Sequence, residues 1–218
     1  GEWVACMNLI DNDFIRCYGD KNQIPFINRV PNTTCHLSFD LYLKFQMIHD
    51  NVSYRCPVDV CYLLSNLTDP IGNKLYPNGV YPAGDNSKIL RSVDVVGINC
   101  AEDLKPDEKK KYITFTQYEK EEVSKITGKK MKVSGTANTV NEVQGGTFPK
   151  VELIRLKQFD NPIYTNMNQF IVSISRHTEK LDYKVVSSKL NDFVGEKISA
   201  LNTIADYVIK EHNFKQCV

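Results

Sequence analysis

The chain has 218 residues, with 27 basic against 26 acidic side chains and 42% hydrophobic residues. A formal net charge of +1 argues against the strongly basic footprint of a general nucleic-acid binder, and no run reaches the ~18 apolar residues of a membrane span. Charged residues at 24% and aromatics at 10% exclude a disordered chain, and the length suits one domain, 1–218.

In chain order, residues 1–100 form a cysteine-rich half carrying Cys6, Cys17, Cys35, Cys56, Cys61 and Cys100, and Cys217 stands one residue from the C-terminus. No CxxC pair occurs, which disfavours zinc ligation and dithiol redox chemistry. The pattern predicts an oxidising compartment, with three disulfides drawn from six of the seven cysteines and the pairing open. Three Asn-x-Ser/Thr triplets, at Asn32, Asn51 and Asn66, fall among these cysteines and predict glycosylation. A start at Gly1-Glu2-Trp3 fits a mature or excised ectodomain.

Leu37, Phe39, Leu41, Leu43 and Phe45 share one parity, so residues 36–45 predict a half-buried strand. A second strand is predicted around 58–64 with Pro57 at its edge, followed by a Pro- and Gly-rich surface loop over 69–87. Further strands are predicted at 89–98, 111–118, 130–134, 150–159 and 169–175. A short helix is predicted over 119–127, stopped by Gly128, inside a charged middle, 101–133, that reads as a solvated face.

The final element is a helix over about 188–213, where Leu190, Phe193, Val194, Ile198, Leu201, Ala205, Val208 and Ile209 trace one apolar face. Ser187 or Ser188 suits its N-cap, Asp192 its positive end, and Gly195 marks close packing or a bend. Together these elements predict an α+β fold: a mainly antiparallel, disulfide-braced sheet of about seven to nine strands with one long C-terminal helix packed on it.

Chemistry-bearing motifs are missing from the sequence. His36, His49, His177 and His212 form no HExxH pair, and neither a GxSxG elbow nor a GxxxxGK[ST] phosphate loop is present. Gly145-Gly146 reads as a turn, and neither a cofactor nor a metal site is implied.

These features predict a non-enzymatic, secreted or membrane-anchored glycoprotein domain, from a pathogen or virus, that recognises an extracellular or cell-surface protein and no nucleic acid. Its contact residues would be tyrosines, Tyr76 and Tyr81 in the long loop and Tyr112 and Tyr118 on one strand parity. A carrier of an apolar ligand and a secreted hydrolase are the alternatives.

Overall fold

The computed structural model describes residues 20, 22–23, 50–131 and 136–214. Five strands form its sheet: β3 (Val93–Ile98), β4 (Lys110–Thr114), β5 (Ala137–Thr139), β6 (Phe148–Arg155) and β7 (His177–Val186). They lie in the order β3-β7-β6-β4-β5, and every pairing is parallel. A separate two-stranded parallel ribbon pairs β1 (Val52–Ser53) with β2 (Tyr81–Pro82).

Parallel strands need crossovers, and helices supply several of them. The helices are α1 (Val58–Ser65), α2 (Gln117–Met131), α3 (Met167–Ile174), α4 (Phe193–Thr203) and α5 (Asp206–Phe214). Helix α2 carries the chain from β4 to β5, and α3 carries it from β6 to β7. One face of the sheet presents Val93, Ile113, Val151, Leu153, Leu181, Tyr183 and Val185 to apolar residues of α1, α3, α4 and α5. The other face buries Ile98, Tyr112, Ala137 and Ile154 with Val123 of α2 and Leu104. The architecture is therefore a three-layer α/β fold.

This corrects the expected antiparallel α+β fold. Residues 58–64 and 169–175, expected as strands, lie in α1 and α3. Both are short apolar runs largely buried, and over eight residues the alternation of Phe170, Val172 and Ile174 competes with the helical period. Asn166 starts α3, its side chain accepting Gln169 N–H at 3.0 Å. Helix α2 begins at a capping box, with Thr116 Oγ1 accepting Glu119 N–H and Glu119 Oε2 accepting Thr116 N–H, each at 3.2 Å. It runs through Gly128, where an end was expected, and the described part of 130–134 is its last turn. The single helix over 188–213 is two helices, because the chain turns extended at Ile204. Asp192, not Ser187 or Ser188, is the N-cap of α4: its Oδ1 accepts Gly195 N–H at 2.8 Å.

Disulfide bracing is also corrected. Among the described residues Cys56, Cys61 and Cys100 are free thiols. Cys6, Cys17, Cys35 and Cys217, the strand at 36–45 and the triplet at Asn32 lie outside the described residues. No helix among the described residues is long and apolar enough to cross a membrane.

Candidate functional site

Two fully buried arginines lie at opposite edges of the sheet, and the contrast between them locates the site. Arg155 ends β6 at the C-terminal edge. Its Nη1 donates to Asp192 Oδ2 at 2.6 Å and its guanidinium carbon lies 3.9 Å from the centroid of the Tyr164 ring. Its charge is answered. Arg176 precedes β7 at the N-terminal edge and is just as buried, but among the described residues it donates only to backbone carbonyls, a hydroxyl and an amide. Its Nε donates to Val172 O at 2.9 Å, Nη1 to Gly146 O at 3.3 Å, and Nη2 to Ser175 Oγ at 2.9 Å and Gln23 Oε1 at 3.4 Å. No carboxylate pairs with it among the described residues. Burial, then the neighbouring Arg55 cation, lowers its pKa to about 10 against the opposing pull of Cys56 and Asp20, so it remains charged at neutral pH. A buried cation that hydrogen-bonds to no anion among the described residues is costly, and an incoming anion would relieve that cost.

Arg55 makes the second positive group. It lies between β1 and α1, half-buried, with Nη1 3.5 Å from Thr147 Oγ1 and a buried Nε that has no hydrogen-bond partner among the described residues. Both arginines thus reach the turn that enters β6, Gly145-Gly146-Thr147. Gly145 has φ of 87°, which favours glycine, and a Cβ on Gly146 would lie 3.0 Å from the Phe148 ring. Below Arg55, Cys56 is buried; a hydrogen bond with Cys61, assisted by Ser53 and Arg55 against the cost of burial, lowers its thiol to about 6. Asp20, Asn22 and Gln23 close the side of the site. Asn168 of α3 holds the backbone of Asn22 and Gln23, and Asp20 accepts Tyr76 Oη–H at 2.7 Å.

The C-terminal edge is built differently. The buried Glu119 carboxylate accepts Leu156 N–H at 2.9 Å and Tyr164 Oη–H at 2.9 Å, fixing the start of α2 against the segment leaving β6. Tyr118 and Phe159 stand exposed there, with Lys157 Nζ 3.5 Å from the Tyr118 ring centroid. Beside them an open cavity of about 740 Å³ is lined by Asp160, Asn161, Lys189 and Asn191 over Arg155. Its cations are already paired, since Lys189 and Arg155 both reach Asp160.

The four tyrosines singled out from sequence do not converge. Tyr112 is buried, with its hydroxyl on the Asp107 backbone; Tyr76 supports Asp20; and Tyr81 stacks on His212 at 5.0 Å between centroids. Tyr118 stands at the C-terminal edge. Asn51 and Asn66 donate their side-chain amides to Asn78 O and Tyr62 O. Arg55, Arg176 and Gln23 were not legible as a site because they come from three distant segments. The faint local signal was Gly145-Gly146, read only as a turn, and Arg176-His177 after an apolar run.

The profile of the viral superfamily 1 RNA helicase core domain matches residues 1–185. The chain is 45% identical, over all 218 residues, to replicase polyprotein 1a of lettuce infectious yellows virus, of which it covers 12%. It is 38% identical over 182 residues, 84% of the chain, to replicase protein 1a of grapevine leafroll-associated virus 3, covering 8% of that protein. It is 32% identical over 214 residues, 92% of the chain, to the replicase large subunit of soil-borne wheat mosaic virus, covering 11% of it. The chain thus spans only a small part of the curated relatives it matches.

These matches overturn the expected extracellular recognition domain. With it go the secreted location, the glycoprotein character, the cell-surface partner without nucleic acid, the non-enzymatic reading and the carrier and hydrolase alternatives. The chain belongs to the viral superfamily 1 RNA helicase core domain family.

Proposed function

We propose that this domain presents arginines to the phosphates of a nucleoside triphosphate whose hydrolysis drives movement along viral RNA, during genome replication inside the host cell. The observation that carries the reading is Arg176, buried, charged and hydrogen-bonded to no carboxylate among the described residues, beside Arg55. Phosphoryl transfer leaves little covalent work for protein side chains; cations aimed at the transferring group supply the stabilisation. The chain has no GxxxxGK[ST] run, so the cradle for the β- and γ-phosphates comes from another segment, and this edge completes it from the opposite side. Gln23, touching Arg176, offers an amide at the same place.

The opposite edge supports the RNA half of the proposal. Exposed rings interleaved with lysines suit single-stranded nucleic acid, because every base has a face to stack. Tyr118, Phe159 and Lys157 form such a platform.

The test is steady-state, RNA-stimulated NTP hydrolysis by the intact protein. Arg176→Ala is expected to lower kcat by about 10³-fold or more, with KM for NTP little changed. Arg176→Lys would recover only part of this, since an ammonium does not reproduce the planar fork. Unchanged kcat in folded Arg176→Ala protein would refute the proposal.

A further inference from the structure

Directly beneath the two arginines lie three fully buried polar residues, Asp59, Ser92 and His177. Asp59 is the second residue of α1, four positions after Arg55. His177 is the first residue of β7, next to Arg176. Ser92 precedes β3 and joins them. Its N–H donates to Asp59 Oδ2 at 2.5 Å and its hydroxyl to Asp59 Oδ1 at 2.6 Å. The same carboxylate accepts Val60 N–H at 2.9 Å and Val93 N–H at 3.3 Å.

With its proton committed to Asp59, Ser92 Oγ is left as an acceptor, and His177 Nε2 lies 2.8 Å from it. In this sense of the chain His177 Nε2–H is the donor to Ser92 Oγ. Burial holds the imidazole far below its ordinary range, at about 3, so it is neutral at working pH. This order excludes a nucleophilic triad. There the histidine accepts the serine proton, whereas here it donates to the serine, and Ser92 is sealed from solvent.

Resting on the arginine reading above, we propose that Asp59, Ser92 and His177 form a positioning relay. It locks the start of α1 to the start of β7 and so sets the spacing of Arg55 and Arg176 around the phosphate. Each end of the relay is a short distance along the chain from one arginine, and Ser92 hydrogen-bonds to both ends. Electrostatic stabilisation of a transition state is sensitive to placement on the ångström scale, so a slack relay should lower turnover while leaving nucleotide binding intact.

The experiment compares Ser92→Ala, His177→Ala and His177→Gln in RNA-stimulated NTP hydrolysis by the intact protein, with thermal unfolding in parallel. Glutamine can donate from near the Nε2 position; alanine cannot. Ser92→Ala and His177→Ala are expected to lower kcat by about 10–100-fold with KM for NTP within about twofold, and His177→Gln to recover most of the loss. If His177→Ala does not fold, Ser92→Ala, which deletes one hydroxyl, and His177→Gln against the parent still decide. Parental kcat in folded Ser92→Ala, or no advantage of His177→Gln over His177→Ala, overturns the relay. Arg176→Ala is run beside them. If it too keeps its kcat, the arginine reading has failed; if it alone loses turnover, only the relay has.

Discussion

Arg155 and Arg176 pose the same problem, a guanidinium inside the protein, and solve it in opposite ways. Removing one partner of a buried ion pair strands the other charge, at about 3–5 kcal/mol, whereas removing a buried charge that hydrogen-bonds to no anion among the described residues relieves a desolvation cost. Arg155→Met is therefore expected to lower the melting temperature, because Asp192 stays behind buried. Arg176→Met should leave it unchanged or raise it while abolishing NTP hydrolysis. Equal destabilisation by both, in a thermal-shift comparison, would contradict the reading of Arg176 as unanswered. His177 gives a second expectation. Its pKa is depressed in the folded state, so the unfolded chain takes up a proton that the folded chain does not as pH falls below about 6.5. Its contribution to stability is whole above that pH and is lost progressively down to about 3, at up to ~1.4 kcal/mol per pH unit. Asp59, whose pKa burial raises, titrates in the opposite sense, so the comparison is parent against His177→Gln. Denaturant titrations between pH 7 and 4.5 should show a steeper fall for the parent.

At the scale of elements, periodicity was legible only in part: β7, where Leu181, Tyr183 and Val185 alternate inward, was missed. The apolar stripe of α4 and α5 was plain, and so were the cores of β3, β4 and β6. Helices α1 and α3 were not. Val58–Ser65 is buried nearly all round and keeps little polar face, whereas in Met167–Ile174 Asn168, Gln169 and Ser173 do fall on one side, a helical signal obscured by the equally good alternation of Phe170, Val172 and Ile174. The signals present were caps: Thr116-Gln117-Tyr118-Glu119 is a capping box, and Asn166 stands three residues before Gln169. Asn166→Ala is expected to cost about 1 kcal/mol in chemical denaturation. Gly195 lies near the start of α4, where an added Cβ would sit 2.1 Å from Leu190 O. Helix propensity favours alanine by about 1 kcal/mol, yet the clash with backbone wins, and Gly195→Ala should destabilise by about 1–3 kcal/mol. A stabilised Gly195→Ala protein would show that the 190–195 turn shifts freely.

On the proposed reading, the domain has two working edges joined by the parallel sheet. A net charge of only +1 gave no sign of this, because the proposed cations are two arginines brought together by folding, not a basic run. Cysteine number was equally misleading: Cys56 and Cys61 are buried free thiols within a core, a common fate for a small apolar side chain. Phosphate and RNA chemistry on separate edges makes the two separable. Tyr118→Ala is expected to weaken single-stranded RNA binding by about 5- to 150-fold, the equivalent of ~1–3 kcal/mol, without altering NTP affinity in the absence of RNA. Fluorescence anisotropy with a labelled oligonucleotide would report it, and an unchanged RNA affinity would remove Tyr118 from the platform. The arginine edge is tested most directly by binding a transition-state mimic. The intact protein is titrated with nucleoside diphosphate alone and with aluminium fluoride, parent against Arg176→Ala. The expected result is diphosphate affinity within about twofold and affinity for the fluoride complex reduced at least ~100-fold, since the arginine acts on charge that develops in the transition state. Equal affinities of parent and variant for the fluoride complex would contradict the assignment of Arg176 to the phosphate.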